Sequence, residues 1–146
     1  MLGVFSTTDA PVGNIQLNTD YGIYGLMQEP FDGAYGAVPL AYAYEAHEGA
    51  ATILSTISGD EVQAFSCNIV RVSTQQEPAT KGMVIEVTDE ALLEQTGGIV
   101  QGMSGSPILQ DGKLIGVVTH VFVNDPAKGY CVYAEWMYRQ IEMHAS

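Results

Sequence analysis

The residues most suited to chemistry lie in the run Gly102-Met103-Ser104-Gly105-Ser106-Pro107. Ser104 is flanked by glycines, followed by a small residue and a proline, and an apolar stretch then leads into an Asp111-Gly112 turn. Nucleophilic acyl transfer uses this arrangement. Glycines let the backbone turn tightly. The hydroxyl is then presented at a strand end, and nearby N–H groups can converge where the oxyanion of a tetrahedral intermediate would sit. An ordinary Gly/Ser turn between two strands has the same composition, and short motifs match often by chance. The wider stretch, residues 98–120 (GIVQGMSGSPILQDGKLIGVVTH), is the segment around which the rest is organised.

A serine without a base is a weak nucleophile. The chain has three histidines: His47 in a Glu-rich turn (EAHEG), His120 at the end of an apolar run, and His144 near the C-terminus. His47 reads as a solvated loop residue, and none of the three is a convincing general base. Cys67 and Cys131 each lie in an apolar, strand-like run (AFSCNIV and YCVYA). No CxxC or Cys/His spacing suggests zinc, so neither a metal nor a cofactor is expected. The two cysteines are a disulfide or two buried thiols, and their apolar surroundings favour thiols.

Composition narrows the partners. The 146 residues carry a formal net charge of −12, and no Lys or Arg occurs before Arg71. Nucleic acid and anionic membrane both need a basic footprint, so both are disfavoured. A basic or neutral polypeptide partner is easier to accommodate. With 47% hydrophobic and 15% charged residues the chain is globular. No 18-residue apolar run exists to span a membrane, and no signal-peptide pattern opens the sequence.

Gly and β-favouring residues dominate, which reads as an all-β domain. Strands are expected at residues 2–5, 14–17, 21–27, 37–44 (extended), 83–87 and 130–133. Hairpins are expected over 50–57 and 61–72 around Ser58-Gly59-Asp60, and over 107–110 and 113–121 around Asp111-Gly112. Residues 73–82 (STQQEPATKG) read as a linker between two halves, and 124–129 (NDPAKG) as a tight loop. Residues 88–95 read as one helical turn capped by Thr88 or Asp89 and ended by Gly97-Gly98. Residues 134–144 read as a closing amphipathic helix.

Most of the chain, most specifically residues 83–137 and more loosely before that, resembles the stage IV sporulation protein B serine peptidases, on GGIVQGMSGSPI and then DGKLIGVVTHVFVNDPAKGY. More distantly, GMSGSP followed by LIGVV is similar to the GDSGGP and GIVSW segments of trypsin-like peptidases. The resemblance implies Ser104 as nucleophile and the N–H groups of Gly102 and Ser104 as oxyanion hole. It also implies Thr119, His120 and Val121 as the strand that pairs with substrate backbone. Asp89 falls where the family's triad aspartate is proposed, although it could line the specificity pocket or simply cap the turn. The family's histidine lies in a Gly-His-Gly type segment upstream of the first residue here, so this chain alone is expected to be inactive.

Several expectations follow from the resemblance. The fold is a trypsin-like β-barrel architecture in one domain, 1–146, with a partial first barrel over 1–73. The second barrel, 83–146, holds Ser104 and the closing helix. The function is peptide-bond hydrolysis through an acyl-enzyme in sporulation signalling, with self-cleavage, acting on a membrane-associated regulatory protein. The location is extracytoplasmic, across the inner forespore membrane, without membrane insertion by this segment. The alternative is an inactive peptidase-fold fragment that binds peptides. Unpaired strand edges invite a homodimer.

Overall fold

Alternating apolar residues make the strands, and their inward faces make one core. In β3 (Gly49–Ser55) Ala51 and Ile53 turn inward, and in β4 (Gln63–Val72) Phe65, Cys67 and Ile69 do so. In β5 (Met83–Val87), Met83, Ile85 and Val87 are buried. β6 (Pro107–Gln110) adds Ile108, β7 (Lys113–Phe122) adds Ile115 and Val118, and β8 (Asp125–Tyr133) adds Cys131 and Tyr133. A computed structural model describes residues 11–29, 36–59 and 61–144. The expected strand at 2–5 and Asp60 of the Ser58-Gly59-Asp60 turn lie outside the described residues.

The six strands close into an antiparallel barrel in the order β3-β4-β5-β8-β7-β6. Closure is made where Thr52 faces Leu109 and Ile53 faces Ile108. Before the barrel, β1 (Gly13–Thr19) and β2 (Gly22–Met27) form a separate two-stranded sheet. Two helices complete the fold: α1 (Glu90–Thr96) and α2 (Ala134–His144). The all-β expectation and the closing helix hold.

The division into halves does not. β3 and β4, expected in a partial first barrel, belong to the same closed barrel as every strand after residue 83. Residues 73–82 are a loop, as their polar composition suggests, but its ends meet. Ser73 N–H donates to the Gly82 carbonyl at 2.8 Å, and Tyr133 Oη lies 2.8 Å from Ser73 O. The loop therefore joins neighbouring strands. Two local readings also change. The 37–44 stretch ends in a 3-10 turn, Ala43–Glu45, because the Glu45 carboxylate accepts from Tyr42 N–H at 2.8 Å. The 124–129 loop is mostly strand, since β8 starts at Asp125, which pairs with Phe122. Pro126 has no N–H to give a ladder, but its carbonyl accepts from Ile99 N–H at 2.7 Å.

The thiols of Cys67 and Cys131 are free and buried in this core. Burial pushes Cys67 up to about 12 and Cys131 higher still. Thiols so disfavoured as thiolates are packing groups rather than nucleophiles.

His47, on the loop before β3, ties that loop to the β6–β7 turn. Its Nε2 lies 2.8 Å from Asp111 Oδ2, and that carboxylate raises the His47 pKa above its ordinary value of 6.5. A raised folded-state value means that the contribution is full below about pH 6.5 and is lost as pH rises through the folded value. Asp111 has φ of 52°, which Asn tolerates equally, so Asp111→Asn is a clean probe. Its Tm deficit against wild type is expected to be measurable at pH 5.5 and to vanish at pH 9, by calorimetry in low salt. A second prediction concerns α1. Asp89 Oδ1 accepts from Leu92 N–H at 3.1 Å and Oδ2 from Ser66 N–H at 3.2 Å. Asp89→Ala is expected to cost about 1–3 kcal/mol by urea denaturation, with the slope of the transition unchanged.

Candidate active site

The serine turn is held between α1 and the β6–β7 hairpin. Gly97 ends α1 in the left-handed region, with φ of 73°. Ile99 then pairs with Pro126 of β8, and a tight turn follows. Met103 N–H donates to Val100 O at 3.1 Å, and Ser106 N–H to Met103 O at 3.0 Å. Gly102 and Gly105 adopt φ of 103° and 89°, a region that side chains rarely enter. Gly105 N–H donates to Val118 O at 2.8 Å, and Val118 N–H to Ser106 O at 3.0 Å. The turn is thus stitched to β7 on its far side.

Met103 anchors the turn from below. It is 3% exposed and belongs to the barrel core, while its neighbours Gly102, Ser104 and Gly105 are exposed. A buried apolar side chain is worth roughly 1.5–3 kcal/mol. That energy holds the turn in the one conformation that lifts Ser104 outward. Sequence reading missed this residue. The available signal was a single long apolar side chain inside an otherwise Gly/Ser turn.

Ser104 Oγ donates to the backbone carbonyl of Thr119 at 3.0 Å. This brings together two of the expected site positions. His120 follows, exposed, and Val121 is half-buried. Thr119 is itself fixed, its Oγ1 donating to Tyr130 O at 3.1 Å. Neither Gly102 N–H nor Ser104 N–H has a hydrogen-bond partner among the described residues. Both residues are exposed.

β7 supplies a second feature. Its register with β6 runs from Lys113 to Val117, and the serine turn extends that contact to Val118. Beyond Val118 this edge has no strand partner among the described residues, whereas the other edge continues along β8 to Phe122. Beside this stretch lies a pocket of about 410 Å³ lined by Lys81, His120, Phe122, Asp125 and Tyr130 among others. A larger pocket of about 480 Å³ is lined by β3, β4 and the β6–β7 turn and includes none of residues 98–105.

Asp89 and two of the histidines make other contacts. Both Asp89 carboxylate oxygens accept backbone N–H groups at the start of α1, from Leu92 and Ser66. His47 bonds Asp111, and His144 Nδ1 lies 2.9 Å from Gln140 O. Among the described residues no histidine is hydrogen-bonded to Ser104 or to Asp89.

The family model described as SpoIVB peptidase S55 matches residues 1–138. Among solved structures, the Rv3671c protease from M. tuberculosis in its active form is similar, with 20% identity and a TM-score of 0.54. That alignment covers 88% of this chain and 56% of the other. A Ser-to-Ala mutant of the same protein, in the inactive form, gives 18% identity and a TM-score of 0.56. It covers 91% of this chain and 64% of the other. At such identities these two show a shared fold, and the chain spans less than two thirds of each. The comparison with curated proteins gave no match. The match over most of its length makes this chain a member of the SpoIVB peptidase S55 family.

Proposed function

We propose that this chain carries the nucleophile half of a serine endopeptidase site, with Ser104 as the attacking group. The observation that carries the reading is the exposed Ser104 in a turn whose Gly102 and Ser104 N–H groups have no hydrogen-bond partner among the described residues. Ser104 Oγ attacks the scissile carbonyl, and its proton passes to a base. The carbonyl oxygen, now an anion, accepts from the two amides, each worth about 10²–10³ in rate. The protonated base gives its proton to the leaving nitrogen, so collapse expels a neutral amine and leaves an acyl-enzyme, which water hydrolyses to the acid and free Ser104. The base is a histidine outside these 146 residues, because His47 and His144 are engaged elsewhere and His120 sits on the substrate strand. The Ser104–Thr119 bond is the resting position of a hydroxyl that waits for that base.

The open edge of β7 at Thr119, His120 and Val121 supports pairing with an extended substrate. Main-chain hydrogen bonds then give affinity, and side-chain pockets give selectivity. Family membership supports a role in sporulation signalling outside the cytoplasm, on a membrane-associated regulatory protein, with self-cleavage. The exposed apolar residues of the β1–β2 sheet (Ile15, Ile23 and Leu26) support a homodimer. A second reading, peptide binding without cleavage, is favoured by the Ser104 hydroxyl donating to a carbonyl rather than to an imidazole.

A fluorophosphonate probe separates the two. A longer form of the protein with its upstream histidine is expected to label at Ser104, and Ser104→Ala to abolish labelling. The 146-residue chain alone is expected to label at least about 10³-fold more slowly. No labelling of the longer form, with peptide still bound, would establish the binding reading. Asp89→Asn decides the remaining role. Retention of the labelling rate assigns Asp89 to the α1 cap, and a fall of about 10⁴ would make it the triad acid.

A further inference from the structure

Positive charge is scarce on this chain, and of the two cations without an ion pair among the described residues, Arg71 on β4 and Lys81, the second lines the pocket beside β7. The chain has five Lys and Arg residues against seventeen Asp and Glu. Lys113 pairs with Glu45, Lys128 with Asp125 at 2.9 Å, and Arg139 with Glu135 at 2.5 Å. Lys81 makes no ion pair among the described residues. It is exposed at the pocket wall, with Nζ 4.6 Å from the centre of the Tyr130 ring. Phe122 packs on the same ring at a centroid distance of 4.6 Å. Asp125 is the only acidic residue among the lining residues, and Lys128 already neutralises it. His120 stands opposite Tyr130 in the ladder, and its ring makes no hydrogen bond among the described residues. The pocket therefore offers two uncommitted nitrogen groups over an aromatic wall.

Its position fixes which part of a substrate would meet it. Ser104 Oγ touches Thr119 O, and the pocket begins one residue further along β7. Directly opposed residues of an antiparallel pair share a face, and faces alternate along a strand. A peptide on the open edge with its scissile residue at Thr119 sets its second upstream residue against His120 and its fourth against Phe122. We propose that this pocket selects an acidic side chain at the second or fourth residue before the scissile bond, with Lys81 binding the carboxylate. The inference rests on the reading of Ser104 as nucleophile. The methylenes of a glutamate lie on Tyr130 and Phe122, and its carboxylate replaces the ring face as the partner of the Lys81 ammonium. A carboxylate is the stronger partner, because a charge-assisted hydrogen bond exceeds an exposed cation–π contact. The overall charge of −12 opposes acidic substrates only weakly at this range, since salt screens beyond about 8–10 Å.

The test uses N-acetyl tetrapeptide boronic acids, whose boron bonds Ser104 Oγ and so fixes the register. Glu, Gln or Lys is placed at the second or the fourth position before the serine. With the longer form of the protein that carries the upstream histidine, Glu is expected to bind at least about tenfold more tightly than Gln at one of the two positions, and Lys more weakly than both. Lys81→Met removes the Glu preference, Lys81→Arg keeps it, and 0.5 M salt reduces it. Equal affinity of Glu and Gln peptides at both positions, with binding still lost in Ser104→Ala, overturns the acidic subsite and leaves the peptidase reading intact. Failure of every boronate to bind at Ser104 overturns both.

Discussion

Closure of the barrel between β3 and β6 is the contact on which the rest depends. It is short, with two opposed residue pairs, Thr52 with Leu109 and Ile53 with Ile108. Side chains lengthen it. Gln110, buried beneath the turn, donates from Nε2 to His47 O at 2.9 Å and accepts from His47 N–H at 3.2 Å. Ser106 Oγ donates to Ser55 Oγ at 3.2 Å. Because β6 starts at Pro107, three residues after Ser104, the position of Ser104 is set by this seam. An open sheet would leave β6 and the serine turn at a frayed edge.

The serine turn then needs only a local anchor. Met103 provides it by burial, and Gly105 and Ser106 fasten the turn to Val118 of β7. The same contact ends the pairing on that side of β7, so among the described residues the strand emerges with an open edge at the point where Ser104 meets Thr119. One arrangement therefore presents the hydroxyl and the surface that could hold an extended chain beside it. α1 is placed by the same economy of contacts. Asp89 caps the helix and binds the β4 backbone at Ser66, so the loop leading to Ser104 starts from a fixed point.

Local chemistry made some elements legible in the sequence alone. Asp111-Gly112 marked the β6–β7 hairpin, Asp89 and Gly97 marked the ends of α1, and apolar alternation marked β3, β4 and β5. Each depends on residues adjacent in the chain. Ser104 was legible for the same reason, since its glycines and proline are its neighbours. The strand start at Asp125 was hidden, because Pro126 reads as a loop residue unless its carbonyl is known to accept from Ile99. The polar stretch 73–82 looked like a divide between halves because nothing local shows that Tyr133 holds its two ends together.

The sequence by itself determined the strand-rich class, the serine turn and the family resemblance, because these rest on periodicity and on motifs of contiguous residues. Only the tertiary structure decided that 49–133 make one closed barrel, that Asp89 spends both carboxylate oxygens on backbone amides, and that Lys81 stands over Tyr130 beside the open edge of β7. Those facts join residues tens of positions apart. Strand pairing and burial choose such neighbours through the packing of the whole core, and no local run of the chain encodes them.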